Sequence, residues 1–139
     1  MGTAYNYVSS VEKLVHHPEV LLGIKNVGKW TPITLHIAPT EICNLRCSFC
    51  SVKNKGKLVL DFADLYNAIV KFRDLGIKSV EITGGGDPTL YPDIDRLIGT
   101  CYKFGLKIGM ITNGIELGNI SEDQLRQLTW LRISMNSLD

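Results

Sequence analysis

Residues 33–50 have the sequence ITLHIAPTEICNLRCSFC, in which an apolar run gives way to a segment with three cysteines. Residues 33–37 are rich in β-branched and apolar side chains, a composition that predicts a β-strand. The connection that follows carries Cys43, Cys47 and Cys50. In α/β domains, long functional loops follow the carboxyl ends of parallel strands. The sequence therefore predicts that the three cysteines lie in a loop at the end of a first strand.

The cysteines are separated by gaps of three and two residues, so their thiols can converge on one metal centre. Three thiolates on a four-iron cluster leave one iron open to an outside ligand, which suits a cluster that takes part in chemistry. Zinc is an alternative, with His36 or Cys101 as fourth ligand, although zinc sites usually contain paired Cys-x-x-Cys halves or a Cys/His pair. Cys101 also falls on the apolar face of a predicted helix, which indicates a buried small hydrophobe. Cys47 and Cys50 alone match a thioredoxin-type redox pair, but that interpretation leaves Cys43 unexplained.

Apolar β-rich runs alternate with helical runs along the chain, and this alternation predicts an α/β fold with a parallel sheet. Asp61 is placed to cap a helix that Gly76 ends, and Asp93 is placed to cap the next helix. Ser121 and Gln124 have the spacing of a capping box before a third helical run. Four strands are predicted, over residues 33–37, 79–83, 107–112 and 130–135.

The domain organisation is predicted to be an N-terminal helical extension over residues 1–30 and a core domain over residues 31–139. In the extension, Pro18 interrupts the helical spacing of apolar residues, and Gly28 ends it. The apolar fourth strand would lie at an open sheet edge, where unpaired backbone groups invite another strand. We therefore expect a missing C-terminal part or a second chain to pair with it, and a complete four-stranded open sheet is the alternative.

Composition sets limits on the class of protein. At 139 residues the chain has the size of one domain, and such a domain buries roughly two-thirds of its unfolded surface. The formal net charge of +1 gives no electrostatic reason to expect nucleic acid as a partner. No apolar run approaches the ~20 residues that span a bilayer, and the first residues lack the pattern of a secretory signal. Cysteines clustered in this way suit a reducing compartment, so we expect a cytoplasmic protein with no membrane partner.

The motif Cys43-x-x-x-Cys47-x-x-Cys50 after a first strand resembles the cluster motif of the radical S-adenosylmethionine (radical SAM) enzymes. Phe49 stands where members of that family usually have an aromatic residue near the adenine. The resemblance covers roughly residues 33–139. It implies a partial (β/α) barrel, that is, a partial TIM barrel, of which about four parallel strands are present here. It also implies a [4Fe-4S] cluster on the three cysteines and S-adenosylmethionine as a second cofactor.

Three further strand ends resemble the same family. The sequence TGGGDP at residues 83–88 is similar to the Gly-Gly-Glu-Pro segment that holds the amino group of the methionine moiety, with one more glycine and with Asp87 in place of Glu. The third strand ends in TNG at residues 112–114, as in many members. Ser134 and Asn136 stand where the family places polar side chains on the ribose and carboxylate of the cofactor. The implied cofactor pocket consists of Phe49, Gly85, Gly86, Asp87, Ser134 and Asn136.

The function that the resemblance implies is reductive cleavage of S-adenosylmethionine to a 5′-deoxyadenosyl radical that abstracts hydrogen from a substrate. The cofactors carry this chemistry, so no catalytic acid–base side chain is assigned, and the sequence identifies no substrate. A reductase or a flavodoxin- or ferredoxin-type protein is the expected electron donor. The alternatives are a non-catalytic zinc or iron–sulfur module for protein interaction, and a catalytically incomplete fragment.

Overall fold

Helices and strands alternate along the chain, as the sequence predicts. The computed structural model describes residues 14–28, 30–52 and 54–135. Short 3₁₀ turns lie between some of the regular elements. In chain order these elements are α1 (Pro18–Val27), β1 (Thr34–Ile37), α2 (Phe62–Asp74), β2 (Ser79–Ile82), a 3₁₀ turn (Pro88–Leu90), α3 (Ile94–Lys103), β3 (Lys107–Thr112), a second 3₁₀ turn (Leu117–Asn119), α4 (Glu122–Leu125) and β4 (Trp130–Ile133).

The four strands form one parallel sheet in the order β1-β2-β3-β4, which confirms the predicted fold class. Leu35 lies beside Val80, and Ile82 lies beside Met110. Because side chains along a strand alternate between the two faces, this register collects the apolar side chains on one face of the sheet. All four strands run in the same direction, so their carboxyl ends meet at one edge, where loops of α/β proteins form binding sites.

Helices α2 and α3 cover the apolar face of the sheet and complete the core. Ile69 of α2 and Leu97 of α3 are fully buried in the same cluster as Ile108 of β3. Asp61 caps α2 as predicted, because its carboxylate accepts hydrogen bonds from the first backbone amides of the helix. Gly76, with φ of 95°, follows the end of α2 in the left-handed conformation that glycine adopts without strain.

Two predicted side-chain caps are wrong. Asp93 occupies the N-cap of α3 but makes no capping hydrogen bond, and its carboxylate lies 3.8 Å from Arg96 instead. Ser121 precedes α4 without capping it through its side chain. The Ser121 amide donates to the carboxylate of Asp95 at 3.1 Å, so a tertiary contact replaces the predicted capping box.

The face of the sheet opposite the helices carries polar and aromatic side chains. The hydroxyls of Thr34 and Ser79 are 2.8 Å apart, which makes a hydrogen bond between β1 and β2. The imidazole of His36 lies 3.4 Å from the Glu81 carboxylate one pair further along. His36 therefore forms a polar pair with Glu81 on this face of the sheet.

The last strand ends two residues earlier than predicted, the second strand ends one residue earlier, and the first strand begins one residue later. β1 begins at Thr34, β2 ends at Ile82 and β4 ends at Ile133, because the chain beyond each point turns into a connection. β4 lies at the sheet edge, with Leu131 and Ile133 partly exposed. Pairing of this edge with a further strand stays a prediction.

Helix α1 runs from Pro18 to Val27, and Gly28, whose φ is 63°, is its C-cap, as the sequence predicts for the end of this helical run. Residues 1–13 of the N-terminal extension lie outside the described residues. In the part of the chain that the structure describes, no helix has the length and apolar character needed to cross a membrane.

Candidate functional site

The cysteine loop is closed at its base by backbone pairing. Thr40 and Val59 form an isolated antiparallel bridge, and the amide of Leu60 donates to the carbonyl of Pro39 at 3.0 Å. The chain thus leaves β1, makes an excursion of less than twenty residues, and returns beside its starting point before α2 begins. This base holds the cysteine loop, residues 41–57, at the carboxyl end of β1.

Cys43, Cys47 and Cys50 are all partly buried and border one cleft of about 180 Å³. The amide of Cys50 donates to the carbonyl of Cys47 at 3.1 Å, which folds the second half of the motif into a turn. Within the described residues, no three His, Cys, Asp or Glu side chains are arranged to hold a metal ion. The structure brings the three thiols to one cleft. Their convergence on one cluster stays a prediction.

Cys101 is separate from this cleft. It is fully buried in the core between α3 and the sheet, and burial raises the pKa of its thiol to about 12. A thiol with that pKa remains protonated at neutral pH, whereas metal ligation requires the thiolate. Because Cys101 lies in the core and not at the cleft that the other three cysteines border, the zinc alternative with Cys101 as fourth ligand is wrong, and the prediction of a buried small hydrophobe is confirmed.

The thiol of Cys50 has the opposite electrostatic environment. The pKa of the Cys50 thiol is lowered from its ordinary value. The larger cause is hydrogen bonding with the backbone of Val52, and the smaller cause is the ammonium of Lys55. Lys55 Nζ lies 3.3 Å from Cys50 Sγ and also donates to the carbonyl of Gly85. Sequence reasoning missed Lys55, because a lysine five residues after a cysteine forms part of no recognised motif.

The glycine run packs directly against the start of the cysteine loop. The amide of Gly86 donates to Thr40 O at 2.9 Å, and the amide of Asp87 donates to Ile42 O at 2.8 Å. A Cβ on Gly86 would lie 2.1 Å from that Ile42 oxygen, so only glycine fits there. Gly86 borders the cleft, and Gly85 is positioned beside it with its carbonyl turned to Lys55.

Asp87 is buried and its carboxylate joins the ends of β2 and β3. Oδ1 accepts hydrogen bonds from the amide and hydroxyl of Thr89 at 3.0 and 2.7 Å. The Thr112 hydroxyl lies 2.8 Å from Oδ1 and 3.0 Å from Oδ2, and the Asn113 amide donates to Oδ2 at 2.7 Å. A carboxylate has about four lone-pair positions, and these donors use them fully. Asp87 therefore orders the strand ends that border the cleft.

Asn113 extends this network to the cysteine loop. Its side-chain amide donates to Asn44 Oδ1 at 2.8 Å, and its own Oδ1 accepts from the Ile115 amide. The sequence marks Asn113 only as part of the strand end TNG. Its contact with Asn44 could not be found from the sequence, because the two residues meet only through the fold.

The other predicted cofactor residues have mixed outcomes. Phe49 borders the cleft and is 69% exposed, and Ser134 also borders it, with its amide donating to Thr112 O. Asn136 lies outside the described residues. Phe49, Gly86, Asp87 and Ser134 are thus brought to one cleft with the three cysteines.

Comparison with known proteins places this arrangement in a family. A family model described as the Radical SAM superfamily matches residues 37–139. The chain is 26% identical over 118 residues to the S-adenosylmethionine-dependent nucleotide dehydratase of Thermoplasmatales archaeon (strain ISO4-H5), covering 82% of this chain and 41% of the relative. It is 30% identical over 112 residues to GTP 3′,8-cyclase of Clostridium botulinum, covering 75% of this chain and 35% of the relative.

The fold is also similar to a solved structure with a bound cofactor. Streptococcus suis SuiB bound to S-adenosylmethionine matches with a TM-score of 0.62 and 28% identity, covering 88% of this chain and 29% of SuiB. The chain spans less than half the length of each of these relatives. Enzymes of the superfamily use a [4Fe-4S] cluster and S-adenosylmethionine. Since the family model covers most of the sequence, from the last residue of β1 to the C-terminus, this chain belongs to the radical SAM superfamily.

Proposed function

We propose that Cys43, Cys47 and Cys50 bind a [4Fe-4S] cluster, and that S-adenosylmethionine binds beside it in the same cleft. One observation carries the proposal: the three motif cysteines border a single cleft together with residues from the ends of β2, β3 and β4. The donor set fits the group, because iron–sulfur clusters are held by thiolates and the third cysteine has a lowered pKa. When bound, the two cofactors supply one-electron cleavage of the sulfonium and radical abstraction of hydrogen from a substrate.

The chain's own residues would bind and orient the cofactor. We propose that Gly85, Gly86 and Asp87 bind its methionine moiety, with Phe49 near the adenine and with Ser134 and Asn136 on the ribose and carboxylate. Oδ2 of Asp87 is the better acceptor for the amino group, because Oδ2 has two hydrogen-bond donors near it and Oδ1 has three. An ammonium group there would replace one existing hydrogen bond.

The proposed substrate classes rest on the relatives alone. Two relatives are named for nucleotides, so we propose a nucleoside triphosphate as the first substrate class to test. SuiB has been solved with its precursor peptide SuiA, and a peptide is the second class.

We propose a reductase or a flavodoxin- or ferredoxin-type protein in the cytoplasm as the electron donor. The core domain is proposed to begin near residue 31, with the preceding helical segment as an extension.

The test begins with protein purified without oxygen and reconstituted with iron and sulfide. We expect about four irons per chain, an electron paramagnetic resonance signal after reduction that changes on addition of S-adenosylmethionine, and 5′-deoxyadenosine in the same sample. Cys43→Ala, Cys47→Ala and Cys50→Ala are expected to lose the cluster. Cys101→Ala is the matched control and is expected to retain it. Bound zinc, or a cluster that ignores S-adenosylmethionine, would contradict the proposal in favour of a structural module or an incomplete fragment.

A further inference from the structure

Lys55 joins the two loops that border the cleft. Its Nζ lies 3.3 Å from Cys50 Sγ, and the same ammonium donates to the carbonyl of Gly85 in the glycine run. The side chain is partly buried and borders the cleft. A lysine ammonium has three N–H donors, so it can serve both acceptors at once.

The backbone that follows Lys55 is hydrogen-bonded to the base of the cysteine loop. Gly56 lies against Glu41, where a Cβ would come within 1.7 Å of the carboxylate Oε2. The carbonyl of Leu58 accepts hydrogen bonds from the Glu41 amide at 2.9 Å and from the Thr40 hydroxyl at 3.2 Å. These contacts tie the segment after Lys55 to the segment before the first cysteine. The backbone on the C-terminal side of Lys55 is therefore anchored to the base of the cysteine loop.

Among the described residues that border the cleft, Lys55 is the only cation. Asp87 is the only anionic carboxylate there, and its oxygens accept from Thr89, Thr112 and Asn113. In the described part of the chain, the hydrogen bonds of the Lys55 ammonium go to the Cys50 sulfur and the Gly85 carbonyl, and not to a carboxylate. A positive charge beside the Cys50 sulfur stabilises negative charge on that sulfur.

We infer that Lys55 is a positioning residue that donates an N–H···S hydrogen bond to Cys50 in the cluster-loaded protein and raises the reduction potential of the cluster. This inference rests on the proposed function. Reduction adds one electron, and therefore one negative charge, to the cluster and its thiolates. A hydrogen-bond donor and a positive charge beside one ligand sulfur stabilise the more negative state, and both are known determinants of cluster potential.

The experiment is a reductive titration of the reconstituted 139-residue chain with dithionite as the electron donor, followed by electron paramagnetic resonance. Each cluster takes up one electron, and no bond is formed or broken. We expect Lys55→Met to lower the equilibrium constant for reduction about tenfold, a shift of about 59 mV to more negative potential for a one-electron couple. Lys55→Arg retains a cationic N–H donor and is expected to restore most of the shift. Lys57→Met, at an exposed lysine on the same segment, is the matched control and is expected to leave the potential unchanged.

The outcomes separate this inference from the proposed function. A Lys55→Met protein with full iron content and an unchanged potential would overturn the inference and leave the cluster assignment intact. Loss of the cluster from both Lys55→Met and Lys55→Gln would assign Lys55 a structural role and would also overturn it. A wild-type chain that binds no cluster would contradict the proposed function itself, and the inference with it.

Discussion

The side-chain amide of Asn113 donates to the Asn44 oxygen at 2.8 Å, although the two residues are 69 positions apart. Asn113 follows β3, and Asn44 follows the first cysteine of the motif. The Asn113 backbone amide is at the same time held by the buried Asp87 carboxylate. The cysteine loop is therefore connected by hydrogen bonds to the ends of both central strands.

The contact between Asn44 and Asn113 should give a measurable coupling free energy between the two residues. In a double-mutant cycle with Asn44→Ala and Asn113→Ala, we expect a coupling free energy of about 0.5 kcal/mol, near the lower limit for a hydrogen bond because the pair is exposed. The measurement is urea unfolding of the metal-free protein. Asn67→Ala on α2 combined with Asn113→Ala provides the control cycle and should be additive. Additive effects in the Asn44 cycle as well would show that the contact does not persist in solution.

Asp87→Asn should destabilise the fold even though it preserves shape. The amide replaces one acceptor oxygen with an NH₂ donor, which would face the donors of Thr112, Asn113 or Thr89 at a buried site. Hydrogen bonds to charged groups contribute about 1.5–3 kcal/mol each, so we expect a loss of about 2 kcal/mol in the free energy of unfolding. Urea unfolding measures it, with Asp123→Asn on the exposed surface of α4 as the control. Equal stability of the two variants would mean that the carboxylate is not needed for the fold.

The sequence alone was sufficient to predict the strands in which buried apolar residues alternate with other residues. Ile82, Ile108 and Met110 alternate with polar or small residues, and the sheet buries them as that pattern predicts. The cysteine motif was likewise visible because its spacing is local. Its position at the end of a parallel strand followed from the alternation of strands and helices.

The contacts between loops were beyond the sequence, because they depend on strand register. The carboxylate of Asp87 can reach Thr112 only because β2 and β3 pair with Ile82 beside Met110. The failed capping box has the same origin, since Asp95 on α3 competes for the Ser121 amide only in the folded chain. Local propensity cannot anticipate a partner that tertiary structure supplies.

Alkylation of the metal-free protein should separate Cys50 from Cys101. The thiolate is the nucleophile, so the lowered pKa of Cys50 predicts that its labelling rate declines, as the pH falls, at a lower pH than that of an ordinary cysteine. Cys101, buried and with a pKa of about 12, should remain unlabelled until the protein unfolds. Iodoacetamide labelling followed by peptide mass spectrometry across the pH range measures both sites. Lys55→Met should move the Cys50 profile to higher pH and Lys57→Met should not; an identical profile in all three proteins would exclude an effect of Lys55.

Gly109→Ala should displace the indole of Trp130 from the sheet. A Cβ at position 109 would lie 2.1 Å from a ring carbon of Trp130, its neighbour in the strand register. Overpacking of this kind costs about 1–3 kcal/mol, and we expect a loss in that range with a change in tryptophan fluorescence. Urea unfolding and emission spectra measure the two effects. Gly118→Ala meets no atom within 4 Å and is the control, and equal behaviour of both variants would contradict the packing of Trp130 on Gly109.

Adjacent glycines at the cleft should differ sharply in what they tolerate. In Gly86→Ala the new Cβ would lie 2.1 Å from the Ile42 carbonyl oxygen, so the glycine run must move away from the start of the cysteine loop. The hydrogen bond from the Asp87 amide to that carbonyl should break with it. Gly85→Ala would place its Cβ 3.9 Å from Glu41 Cγ, an ordinary van der Waals distance, and is the matched control for folding.

We expect Gly86→Ala to unfold at lower urea concentration, by about 1–3 kcal/mol in free energy, and to lose reconstituted iron faster than the wild type. Gly85→Ala should match the wild type in both unfolding and iron retention, whatever its affinity for S-adenosylmethionine. The pair is informative because the two positions are adjacent in sequence and carry the same substitution. Iron loss in Gly85→Ala but not in Gly86→Ala would show that the cysteine loop is held in place by contacts other than the backbone pairing described at Gly86.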